Sequence, residues 1–133
     1  MPDTEHPNVA GVREALDAYA AADWDRMGKQ LHDDIAWHVG GDNPLSGTYR
    51  GRDAAIAYFR KTQELTGGTL RLDVDEILAN DQFGGIVLRA HGERAGKRLD
   101  VQMAEAVRFD QDGLWTEFWA LSYDQSAVDE FWR

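Results

Sequence analysis

Leu99-Asp100-Val101-Gln102-Met103-Ala104-Glu105-Ala106-Val107-Arg108-Phe109 is the stretch whose reading decides the fold. Leu99, Val101, Met103, Glu105, Val107 and Phe109 recur at every second position, and a period of two puts all six on one side of a sheet. Turn formers bracket the strand. Gly92 to Lys97 holds Ala95-Gly96 and reads as the hairpin turn leading in; Asp110-Gln111-Asp112-Gly113 reads as the turn leading out. The period persists on both sides. Upstream, Leu70, Leu72 and Val74 alternate with Arg71, Asp73 and Asp75, and Ile86, Leu88 and Ala90 alternate with Val87, Arg89 and His91. Downstream, Leu114 to Tyr123 forms the last strand.

Further from that meander the period lengthens. Val9, Val12, Leu16 and Tyr19, with Ala15, Ala18 and Ala22, make a helical stripe from about Pro7 to Ala22. Asp23 is placed to cap a second short helix carrying Trp24, Met27 and Leu31. Asp34 to Val39 reads as a short strand, and Gly40 to Gly47 as a loop. Asp53 is placed to cap a third helix that runs through Ile56, Phe59 and Lys61–Leu65 to the Gly67-Gly68 stop. Ser126-Ala127-Val128-Asp129 resembles a capping box opening a terminal helix with Phe131 and Trp132. Helices first and strands second predict an α+β architecture with helices on one face of an antiparallel sheet. No repeat or linker interrupts the chain, so residues 1–133 are expected to form one domain. The last strand is apolar on both faces, Leu114, Phe118 and Ala120 against Trp115, Trp119, Leu121 and Tyr123. That calls for a second covering layer, either a partner subunit in a homodimer or the terminal helix.

Composition narrows the function classes. The formal charge of −10 opposes binding to nucleic acid and to anionic membranes. No apolar run reaches the roughly 20 residues needed to span a bilayer. Met1 to Pro7 shows no basic segment followed by an apolar one, so no leader is expected. The chain has no cysteine, which removes disulfides and thiolate chemistry and suits a reducing cytoplasm. His6, His32, His38 and His91 lack metal-site spacing, and no Gly-x-Gly-x-x-Gly follows a strand. Neither a metal nor a cofactor is expected.

Glu105 is out of place. A carboxylate on an apolar sheet face is costly unless it is paired or kept protonated by a raised pKa, and such groups cluster at functional sites. The alternatives are a face open to solvent or a buried Arg partner.

Leu31-His32-Asp33-Asp34-Ile35-Ala36-Trp37-His38-Val39-Gly40-Gly41, Asn43 to Asp53, and Asp112-Gly113-Leu114-Trp115-Thr116-Glu117-Phe118-Trp119 with Asp124 resemble three segments of one family. In it, three N-terminal helices pack on a curved antiparallel sheet with a short C-terminal helix: the cone-shaped α+β barrel of the nuclear transport factor 2-like fold. Within that fold the chain resembles the SnoaL-like proteins. The resemblance covers nearly the whole chain and implies an apolar cavity between helices and sheet. It leaves function open, because that fold hosts isomerases, cyclases, dehydratases, epoxide hydrolases and binding modules.

Similarity to ketosteroid isomerases places Glu105 at the position of a protonated carboxyl that donates to the developing oxyanion. It places His38 at, or one residue from, the general base, with Val39 as the competing position. The family's helix-one tyrosine is unmatched, since Ala15 or Leu16 occupies its place and Tyr19 lies a turn later. The Arg-x-Asp pair of limonene-type epoxide hydrolases is also broken, to Arg89-Ala90-His91. The expectation is therefore cofactor-independent proton transfer, of the isomerase, cyclase or dehydratase kind, on a small hydrophobic carbonyl compound. His38 and Glu105 would be catalytic; Tyr19, Trp37, Arg89, His91, Met103 and Trp119 would bind substrate. A non-catalytic ligand-binding or protein-interaction module of the same fold is the alternative.

Overall fold

Pro7 opens the first helix in the computed structural model, which describes residues 5–133. The expected single domain and leader-free start both extend into residues 1–4, which lie outside the described residues. The element order is α1 (Pro7–Ala20), α2 (Trp24–Gly28), β1 (Leu31–Val39), β2 (Gly47–Arg50), α3 (Arg52–Leu65), β3 (Arg71–Ala79), β4 (Phe83–Arg94), β5 (Lys97–Phe109), β6 (Trp115–Ser122) and α4 (Gln125–Trp132). At the start of α1 the missing N–H of Pro7 costs nothing, and the His6 ring Nδ1 accepts the N–H of Asn8 at 3.1 Å. Asp23 caps α2, its carboxylate accepting the N–H of Arg26 at 3.2 Å.

Three boundaries move from expectation. The second helix stops at Gly28, so Leu31 begins β1 rather than ending a helix. Asp53 does not cap α3: the chain enters the helix through Gly51 at φ 93°, a conformation open chiefly to glycine, and Asp53 sits in the first turn instead. Helix α4 is capped by Asp124, which accepts the N–H of Ala127 at 3.1 Å, so Ser126 lies inside the helix.

The six strands form one sheet in the order β2-β1-β6-β5-β4-β3. β1 and β6 run parallel; the other neighbours are antiparallel. Strand β2 starts at Gly47, the last residue of the expected loop, runs through Arg50 in a stretch to which the sequence pattern assigns no element, and pairs Tyr49 with Trp37. The β4–β5 hairpin turns at Ala95 (φ 50°) and Gly96 (φ 77°), the left-handed pair that a two-residue turn requires.

One irregularity redraws the last strand. Arg108 faces Glu117 while Phe109 faces Trp115, so Thr116 is an extra residue on β6. That bulge puts Trp115 on the same side as Phe118 and Ala120, leaving Glu117, Trp119 and Leu121 on the other. Helices α1, α3 and α4 cover the first side. Val12, Ala55, Phe59 and Phe131 pack there against Leu31, Ile35, Ile86 and Val107 in one core. Because α4 lies on the inner side, it does not cover the outer one, where Leu121 is 71% exposed.

Candidate functional site

The apolar side chains on the inner face do not fill the space under the helices. A cavity of about 120 Å³ remains between α1, α3, α4 and the sheet. That volume exceeds what a single water needs and is of the order of apolar cavities that take one benzene-sized ring. One wall is an aromatic stack. Trp37 lies flat on Phe118 with centroids 3.7 Å apart, Phe59 meets Trp37 edge-on at 4.5 Å, and Trp115 runs parallel to both, 6.1 Å from Trp37 and 6.3 Å from Phe118.

Glu105 projects into this cavity from the middle of β5, flanked on the sheet by Ile86 and Ala120. It has no hydrogen-bond or ion-pair partner among the described residues. Its side chain keeps some free surface because it borders the cavity, yet protein surrounds it, and that enclosure governs its ionisation. Burial pushes its pKa up to about 8. At neutral pH the carboxyl is mostly protonated.

Two tyrosines share the space. Thr62 donates its hydroxyl proton to the carbonyl of Phe59 at 2.7 Å, so Tyr19, at 2.7 Å from the Thr62 oxygen, is the donor in that contact. The Tyr19 proton is thereby committed. Tyr58, one turn before Thr62 on α3, also lines the cavity and has no hydrogen-bond partner among the described residues. Burial raises the pKa of both tyrosines. For Tyr58 the proximity of Tyr19 and Glu105 adds to the effect. At the α4 end, the Asn43 and Gln125 side-chain amides both donate to Asp129, at 2.8 Å and 3.0 Å. These bonds hold that carboxyl below the usual aspartate range.

Of the residues expected from the sequence, Glu105, Tyr19, Trp37 and Met103 line the cavity. His38, Arg89, His91 and Trp119 do not; they lie on the outer face of the sheet. Strand parity is the cause: Trp37 points inward, so His38 points outward, and inward Leu88 and Ala90 send Arg89 and His91 out. Outside, His38 Nε2 lies 2.8 Å from Glu117, its Nδ1 2.9 Å from the Thr48 hydroxyl, and its ring stacks on Trp119. Arg89 bonds Asp100 at 2.6 Å, and His91 lies 2.9 Å from Asp73. Neither His38 nor Arg89 reaches Glu105. Tyr58 was missed, although Ala55, Phe59 and Thr62 at helical spacing mark the buried stripe beside it.

A family model described as a SnoaL-like domain matches residues 12–118. Mb0035, an uncharacterised protein of Mycobacterium bovis, is 29% identical over 132 residues, which covers 97% of this chain and 98% of that protein. The solved structure of Bal32a, from a soil-derived mobile gene cassette, is 31% identical, covers 95% of this chain and 96% of its own, and superposes with a TM-score of 0.91. IdmH of Streptomyces antibioticus, provisionally described as a polyketide cyclase, shares the fold at 18% identity and a TM-score of 0.76, over 92% of this chain and 96% of its own.

Proposed function

The chain belongs to the SnoaL-like domain family, of nuclear transport factor 2-like fold, and from that premise we propose that its cavity carries out cofactor-independent proton transfer on a small hydrophobic carbonyl compound. The observation that carries this reading is Glu105: a carboxyl without a partner, inside a ligand-sized cavity, with a pKa pushed up to about 8. A group poised near neutrality serves both directions of a proton transfer. At pH 7 about a tenth of it is ionised and can take a proton from the carbon next to a carbonyl; the acid so formed returns it to the same carbon or a neighbouring one. The apolar walls exclude water from the enolate formed between the two steps. His38 has no part in this chemistry, and Glu105 acts as both base and acid. IdmH, alike in fold and provisionally described as a polyketide cyclase, is in keeping with chemistry next to a carbonyl.

Solvent deuterium exchange into 1,3-diketones and β,γ-enones, followed by NMR, tests the proposal. Exchange is expected with wild type and with His38→Ala, and its loss with Glu105→Gln. Exchange that survives Glu105→Gln sinks the role of Glu105. Ligand binding without exchange on any substrate makes the cavity a binding site only.

We further propose that the chain forms a homodimer through the outer sheet face. Two adjacent rows there, Trp119-Ala106-Gly85-Leu78 and Leu121-Ala104-Val87, are apolar or small and cross several strands. Beside these rows Arg108 pairs with Glu117 and Arg89 with Asp100, while the second row ends at the exposed Glu76. An acidic chain meets a second copy most easily where its own charges are paired.

A further inference from the structure

We infer that the ligand of the cavity is an uncharged ring compound whose oxygen is held by the Tyr58 hydroxyl, and that the cavity rejects the corresponding carboxylate. The inference rests on the proposed function for the place of Glu105, and it adds the class of ligand and a positioning residue.

Counting the polar atoms leads to this ligand. Every wall that touches the cavity is apolar or uncharged except at Glu105, and no Lys, Arg or His side chain is among the lining residues. An anion entering the space would lose its hydration and meet no cation, next to a carboxyl that is itself kept neutral by burial. A neutral carbonyl oxygen loses far less and needs one good donor. Tyr19 cannot be that donor without breaking its bond to Thr62, since the Thr62 proton already belongs to the Phe59 carbonyl. Tyr58 can. Its side chain lines the same space and its hydroxyl makes no hydrogen bond among the described residues, so its proton is free for a ligand oxygen; the indole N–H of Trp115, another lining residue, is buried without a partner and is the one competing donor among the described residues. Its ring is fixed by packing against Tyr49, with centroids 4.9 Å apart, and edge-on against Phe59. The donor therefore needs little reorganisation to receive the ligand. The arrangement sets the order of events. The Tyr58 hydroxyl holds the oxygen, the aromatic stack holds the ring, and Glu105 faces the carbon framework.

Calorimetric binding of three probes that share one ring and differ in the head group tests this: acetophenone, benzoate and benzylamine. At pH 6.5 wild type is expected to bind acetophenone and to bind benzoate at least about tenfold more weakly. Tyr58→Phe removes only the hydroxyl and is expected to weaken acetophenone by about three- to tenfold. Tyr123→Phe, at an exposed tyrosine that does not line the cavity, is expected to leave that affinity within about twofold, which separates a donor to the ligand from a tyrosine elsewhere in the fold. Circular dichroism of both variants checks that each is folded. Benzoate binding as tight as acetophenone, or benzylamine binding tightest and lost in Glu105→Gln, would overturn the class. Equal acetophenone affinity in wild type and folded Tyr58→Phe would overturn the residue. Neither result depends on turnover. Failure of deuterium exchange with this binding pattern intact removes the chemistry and leaves the ligand class standing.

Discussion

Glu105 has a thermodynamic signature that can be measured without any ligand. In the unfolded chain its pKa is near the ordinary glutamate value; in the folded protein burial pushes it up to about 8. Between those two values the unfolded state has lost the proton and the folded state has kept it. Stability linked to this group is therefore complete below pH 4.5 and falls as pH rises, levelling off above about 8. Glu105→Gln removes the titration and keeps the shape. Wild type and Glu105→Gln are expected to have similar urea midpoints at pH 4.5. The variant should gain steadily toward pH 8, by an amount on the order of a few kcal/mol. Parallel stability curves for the two proteins would show that Glu105 ionises normally and would remove the basis of its acid–base role. This residue was legible in the sequence because a single carboxyl interrupts six positions of strict alternation. Tyr58 was not, because tyrosine is at home on any half-buried helix face, and only the cavity distinguishes its hydroxyl from others.

At the scale of elements, strands with an unbroken period were legible and those with an irregularity were not. Strands β4 and β5 pair without a slip over twelve positions, and their inner residues were readable as they stand. In β6 the extra residue Thr116 reverses the side on which Trp115 lies, and a bulge has no sequence period of its own. His38 was misplaced for a related reason. Both faces of β1 and β6 carry aromatic or imidazole rings, so pattern alone does not tell which face the helices cover. The terminal helix shows how tertiary bonds replace local signals. Asp129 Oδ1 accepts the N–H of Asp42 at 3.0 Å and the side-chain amides of Asn43 and Gln125, fastening the loop after β1 to α4 at one end of the cavity. Gly41 lies so close to Gln125 and Asp129 that any side chain would collide with them. Asp129→Ala leaves all three donors without their shared acceptor. Amide exchange in Gln125–Trp132 is expected to speed up by roughly tenfold or more, with β4 and β5 unchanged. Unchanged protection in α4 would mean that buried Phe131 and Trp132 hold the helix on their own.

At the scale of the whole molecule, the same sheet serves two surfaces of opposite character. Its inner face spends its apolar residues on the core and the cavity walls. Its outer face leaves Leu121 71% and Leu78 66% exposed, with Phe83 under the Arg108 guanidinium at 5.2 Å. A contiguous apolar band of this kind on a chain of net charge −10 is where a neutral contact between copies is least opposed. In a two-fold contact each residue on the band meets its equivalent or a near neighbour, so one substitution acts twice. Leu121→Lys places two like charges near the contact and touches nothing in the cavity, since Leu121 points away from it. Wild type is expected to run as a dimer by light scattering coupled to size exclusion at micromolar concentration, and Leu121→Lys as a monomer. The thermal midpoint of wild type should rise with protein concentration, and that of the variant should not. Acetophenone affinity is expected to be the same in both, because the cavity is built within one chain. A wild-type monomer at all concentrations would mean that the outer face is simply solvated. A dimer that survives Leu121→Lys would place the contact elsewhere on the molecule.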